Sequence, residues 1–170
     1  MKLRPVHFIL CAGVVLGFTA CGEKQSPVTD LQRKEAALLI SEAQFASTLR
    51  NHEEAESLLA RAAAVTPDDA ALWISLGSVR KRLGQDGPAK QAYERALKLY
   101  QAETKAKKAE ADPLLQQIHV LALLGRVEEA RGLQEKALAQ FPEDRDVRAF
   151  VQEKRLDRFL ADPQFRQIAL

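Results

Sequence analysis

Ala55 and Ala89 stand 34 residues apart, as do Leu59 and Tyr93, and Ala62 and Ala96. A fixed period of this length marks a helix–turn–helix unit that recurs along a stacked array. Such a unit buries its apolar face only against its neighbours, so the period constrains the fold more than any single residue does. Strand signals are missing: there is no sustained period-two alternation, and Asp86-Gly87-Pro88 falls between helices rather than between alternating runs. The expected class is all-α. With 46% apolar residues but only 6% aromatic ones, the chain suits a thin, continuous, alanine-rich core.

Within the second copy, Trp73, Leu76, Gly77, Ala89, Tyr93 and Ala96 spell W-x2-L-G followed by A-x3-Y-x2-A. This resembles the tetratricopeptide (TPR) signature. The resemblance covers residues 36–144 and implies about three repeats in a right-handed superhelix, with a C-terminal cap over 145–170. The copies are expected at 36–69, 70–103 and 111–144. Leu39, Ala43, Leu49, Ala55, Leu59, Ala62 and Pro67 hold the signature positions of the first, and Leu114, Leu121, Leu124, Gly125, Ala130, Ala137 and Pro142 those of the third. Gly84 to Gly125 and Ala89 to Ala130 are 41 residues apart, so residues 104–110 are inserted between the second and third copies.

Local chemistry fits this division. Small alanines let paired helices approach, and Trp73, Tyr93, Leu59 and Leu114 fill the space beside them. Gly84 and Gly125 are placed to end first helices in a left-handed cap. Pro67 and Pro142 are expected where new helices begin, with Thr66 as an N-cap. Thr29 with Gln32 forms a possible capping box. The chain departs from the family at Arg50, which replaces a turn glycine, and at Arg80, which replaces an aromatic. Gln101 replaces a proline and Gln134 a large apolar residue. With no proline at 101 and good helix formers beyond it, one long helix is expected from Pro88 to about Ala111, broken at Asp112-Pro113; the alternative is a lysine-rich loop. Residues 145–160 read as one capping helix. Asp162-Pro163 then starts a short last turn, with Phe165 and Ile168 available to dock.

The N-terminus carries a second signal. Met1-Lys2-Leu3-Arg4 is positive, and residues 6–20 are apolar apart from His7 and Thr19. That run is short for a membrane span and suits a signal peptide over 1–20. Thr19-Ala20-Cys21 followed by polar residues resembles a bacterial lipobox, with Phe18 in place of the commoner leucine. The resemblance implies a lipidated, palmitate-bearing Cys21 and a tether over 21–29 leading to a domain over 30–170. The alternative is an ordinary signal peptide with Cys21 incidental. Cys11 lies in the segment to be removed, which leaves Cys21 as the one cysteine of the mature chain. Gly22, where an inner-membrane retention aspartate would stand, favours the outer membrane. The expected place is the bacterial cell envelope, lipid-anchored and facing the periplasm.

The formal charge of +2 overstates the basic character. Two of the 25 basic residues, Lys2 and Arg4, lie in the N-terminal segment, and the rest balance the 23 acidic ones. A neutral chain without basic–aromatic clusters argues against nucleic acid. His52-Glu53-Glu54-Ala55-Glu56 lacks the second histidine of a zinc-protease helix, and no triad, phosphate loop or carboxylate pair stands out. No enzyme activity, metal or cofactor is assigned. Lys105, Lys107 and Lys108 read as a solvated helix face.

The TPR resemblance implies a concave groove lined by the first helix of each repeat. Matched position by position, it assigns Gln44 and Thr48, then Ser78, Lys81 and Arg82, then Leu115, His119 and Leu123 as partner-binding residues. Ile40 and Gln44 stand where a carboxylate-clamp member has lysine and asparagine, so that clamp is absent. The partner is expected to be a protein segment, extended or helical. The reading is a membrane-anchored TPR lipoprotein acting as an interaction scaffold in pilus, secretion or outer-membrane assembly. The alternatives are a structural, self-associating envelope protein and an accessory to peptidoglycan-remodelling enzymes. The partner and the oligomeric state stay open.

Overall fold

The computed structural model describes residues 27–170; the expected signal peptide, the Cys21 junction and most of the tether lie outside the described residues. The described chain is helical, and none of its helices is long and apolar enough to cross a membrane. Three pairs come first: α1 (Asp30–Thr48) with α2 (His52–Val65), α3 (Ala70–Arg82) with α4 (Asp86–Ala106), and α5 (Asp112–Leu123) with α6 (Val127–Gln140). A C-terminal group follows: α7 (Arg145–Gln152), α8 (Arg155–Ala161) and α9 (Pro163–Arg166). Partners pack within each pair, and α2 against α3 and α4 against α5 stack the pairs into an array.

The turn inside each pair is the same backbone device. The N–H groups of Asn51, Gln85 and Arg126 donate at 2.9 Å to the carbonyls of Ala46, Arg80 and Leu121, five residues back. Closing this loop needs a left-handed residue just past the helix. Gly84 and Gly125 supply it with φ of 73° and 69°, and Arg50 adopts φ 60° at the equivalent place. The geometry of the turn thus overrides a side chain that does not favour it. Thr29 caps α1 through the expected box with Gln32.

Three expectations are corrected. Pro67 and Pro142 lie within the turns that precede α3 and α7, and those helices are capped by Asp69 and Asp144. Thr66 instead ends α2: its buried hydroxyl donates back to the Ala62 carbonyl at 3.1 Å. A helix carried on past Ala106 would take Ala111 away from the core pocket it shares with Leu114, Ala137 and Val147. Instead α4 spans Asp86–Ala106, and the chain turns at Lys107, whose ammonium bridges Glu103 and Glu110. The single capping helix is in fact two, α7 and α8, separated at Lys154 with φ 49°. The bend lets Phe150 and Leu156 both reach the core.

The alanines do what the period requires. Ala55, Ala62, Ala89, Ala96, Ala130 and Ala137 are fully buried at the helix contacts. Trp73 is only half-buried, its indole N–H donating to the Pro67 carbonyl at 3.1 Å. The closest approach is at Gly77, where a Cβ would stand 2.5 Å from the Tyr93 ring. Arg80 and Gln117 occupy places where apolar packing would be expected. The Arg80 guanidinium donates to Glu56 at 2.8 Å and ties α3 to α2. The buried Gln117 amide donates to Thr104 at 2.6 Å, which holds the extended end of α4 against α5.

Candidate binding groove

The inner faces of α1 and α3 enclose a groove of about 460 Å³. Its floor is apolar, with Ile40, Leu59, Ile74 and Val79, and its rim is polar, with Gln44, Thr48, Ser75, Ser78 and Arg82. Four of the eight residues assigned from sequence therefore meet there: Gln44, Thr48, Ser78 and Arg82. Ser47 and Arg82 are shared with a more polar hollow of about 700 Å³, which adds Arg50, His52, Lys81, Gln164 and Gln167. Lys81 is committed, since its ammonium bridges Asp86 at 2.8 Å. Arg82 is exposed and makes no ion pair among the described residues, which leaves its guanidinium available to an acidic group.

The other half of the expected site has a different fate. The C-terminal segment runs back over α5 and occupies the inner face of the third pair. The Leu170 N–H donates to the Leu123 carbonyl at 2.8 Å, and the Tyr93 hydroxyl donates to the Ile168 carbonyl at 2.6 Å. Leu123 is fully buried and cannot meet a partner while the tail is in place. His119 packs edge-on against Phe159 and Phe165, with ring centres 5.1 and 5.7 Å away. Leu115 and His119 border a separate hollow with Asp112, Asp146 and Arg155. The docked tail also reaches the open half, where the Ile168 side chain forms one wall of the α1–α3 groove.

Burial sets the proton chemistry. It pushes the Tyr93 phenol up to about 12, against smaller opposing effects of the Ser78 hydrogen bond and the Arg82 charge. The phenol therefore stays protonated as the donor that holds the tail. Burial lowers the His119 pKa below its ordinary value, so the imidazole sits neutral among the aromatic rings. No group of three or more His, Cys, Asp or Glu side chains is placed to hold a metal among the described residues.

Position-by-position assignment missed Arg50, Gln164, Gln167 and Ile168. Phe165 and Ile168 were legible as apolar residues able to dock, but nothing in their spacing said which face would receive them.

The family comparison falls on the second helix pair. The Tetratricopeptide repeat family profile matches residues 70–103, the span of α3 and most of α4. The described chain is thus an all-α array of helix pairs that carries a TPR repeat. A solved structure titled "First TPR of Spaghetti (RPAP3) bound to HSP90 peptide SRMEEVD" superposes with a TM-score of 0.45 and 16% identity. The match covers 76% of this chain and 95% of that one. Comparison with curated protein sequences finds no match.

Proposed function

We propose that this chain is a membrane-anchored TPR lipoprotein, a non-catalytic scaffold in a bacterial envelope assembly of the pilus, secretion or outer-membrane biogenesis kind. It holds an extended segment of a client protein in the α1–α3 groove. The observation that carries this reading is the division of the inner surface: its C-terminal half is filled by the chain's own tail, and its N-terminal half is open among the described residues. The open half offers an apolar floor, hydroxyl and amide groups on the rim, and one uncommitted guanidinium. A segment with a branched apolar side chain beside an acidic group matches that chemistry. Anchoring is supported by the Thr19-Ala20-Cys21 junction. From Cys21 to the start of α1, the residues 22–29 would reach at most about 29 Å, which keeps the array beside the bilayer.

The groove is tested by placing a photo-crosslinking residue at Gln44 in the full chain and identifying the captured polypeptide by mass spectrometry. Arg82→Glu is expected to abolish that capture, and rising salt to weaken it in the unaltered chain. Capture that survives both would remove the groove from the proposal. The anchor is tested separately by the mass of the N-terminal peptide; an unmodified Cys21 thiol would remove the lipoprotein reading and leave the groove untouched.

A further inference from the structure

We infer that this chain pairs with a second copy of itself through the outer face of α1, the two helices lying side by side and parallel. Leu31, Leu38, Phe45 and Leu49 are 75%, 68%, 67% and 64% exposed, and the other exposed large apolar residues, Leu138 and Leu170, reach only 37% and 38%. Leu31, Leu38 and Phe45 follow one another at seven-residue steps, which on an α-helix drift by only about 20° per step. Leu49 extends the same stripe by one more turn. Ile40, Gln44 and Ser47, which face the groove and α3, lie on the opposite side of the helix. Among the described residues, the stripe is therefore the bare end of the array. A seven-residue step keeps these side chains on one face, along which a second helix can lie side by side.

The flanking charges choose the occupant and its direction. Lys34 and Ser41 run along one side of the stripe, and Glu35 and Glu42 along the other. All four are exposed, and none of the three charged ones makes an ion pair among the described residues. A parallel two-fold pairing sets each flank against the opposite flank of the other copy at the same height. Lys34 then meets Glu35 of the second copy, Ser41 meets Glu42, and each contact occurs twice. An antiparallel pairing sets like flanks together and brings Glu35 towards Glu42. A bilayer would receive Glu35 and Glu42 along one edge of the apolar stripe against Lys34 alone along the other, a net negative rim that an anionic membrane surface does not attract. The inference is independent of the anchoring reading, though parallel pairing leaves both N-termini at one end, where two anchors can enter one membrane.

The experiment uses the full chain carrying Leu31→Cys, Leu38→Cys or Phe45→Cys, treated with a short bismaleimide; the unaltered chain, with Cys11 and Cys21, sets the baseline. Each variant is expected to form a cross-linked dimer with itself, and Gln44→Cys on the opposite face is expected to stay at baseline. No dimer at any of the three positions overturns the proposal. Cross-linking at Leu38→Cys alone, with Leu31→Cys joining only to Phe45→Cys, overturns the parallel arrangement. Leu38→Asp should reduce the assembly from two chains to one by light scattering with its helical melting curve unchanged; a two-chain mass that persists counts against the interface. Lys34→Glu should lower the Leu38→Cys cross-linking yield several-fold, and adding Glu35→Lys should restore it. A double variant no better than the single one counts against the charge pairing.

Discussion

The two ends of the array are finished in opposite ways. At the C-terminal end, α7, α8 and α9 cover the third pair. The final residues return to it, so that Phe165 is buried and the backbone from 168 to 170 is hydrogen-bonded to Tyr93 and Leu123. At the N-terminal end, α1 buries Ala36, Leu39, Ala43 and Ala46 against α2 and presents a line of leucines and a phenylalanine outward. A stacked repeat needs its terminal faces covered or polar. The chain meets that need at one end from its own sequence, while at the other end no described residue covers the outward face of α1. The groove follows the same asymmetry, closed where the chain folds back on itself and open beside the bare end.

Substitutions at the two ends should therefore differ in cost. The largest effect is expected at Phe165→Ala, which empties the pocket against His119 and Phe159 and should cost about 3 kcal/mol by denaturant unfolding. A loss under about 1 kcal/mol would mean that the tail is a loosely held strap. Next come changes at the close helix contacts. Gly77→Ala drives a methyl group into the Tyr93 ring, whose hydroxyl is held by Ile168, and Ala89→Leu overpacks a fully buried site. Each should cost roughly 1–3 kcal/mol, read as a lower melting temperature.

The C-terminal closure should also depend on pH, and the bare end should not. Burial lowers the His119 pKa in the folded chain, so the folded state binds its proton less readily than the unfolded one. Stability is therefore lost as the pH falls from the unfolded value of about 6.5 towards the lowered one. Tail release over that window, followed by hydrogen exchange at residues 168–170, should vanish in His119→Gln. Exchange in α1 should not change. The smallest effect belongs to the bare end: Leu38→Gln should change the unfolding free energy of the single chain by no more than about 0.5 kcal/mol. A larger loss would show that the stripe already has a cover within the chain.

Much of the fold was legible because repeat packing is local. A period of 34 residues, alanines at the contacts and glycines past the first helices follow from what one helix pair needs of the next, and each is visible without knowing the rest of the chain. Arg50 shows that the turn could be placed even where its glycine is missing, because the flanking repeat positions fix the length of the loop. The misplaced prolines and the overlong second helix of the middle repeat mark where this reasoning fails. Helix propensity favoured continuation through residues 104–110, but burying Ala111 in the third pair outweighed it.

The candidate site was legible only as far as the repeat itself reaches. Gln44, Thr48, Ser78 and Arg82 meet because their spacing places them on inner helix faces, and inner faces are a property of each repeat. Leu115, His119 and Leu123 occupy equivalent positions, and by spacing alone they look the same. What removes Leu123 and His119 from the open groove is a contact between residues far apart in sequence, the return of 165–170 across α5. That contact depends on the bend at Lys154, on the room beside Tyr93 and on the fit of Phe165 between two rings. None of these is periodic. The sequence by itself determined the helix pairs, their order and the inward-facing positions, because those interactions span a few turns of helix. Only the tertiary structure decided which half of the groove the tail fills and which it leaves open among the described residues, because that depends on where the last residues of the chain come to rest.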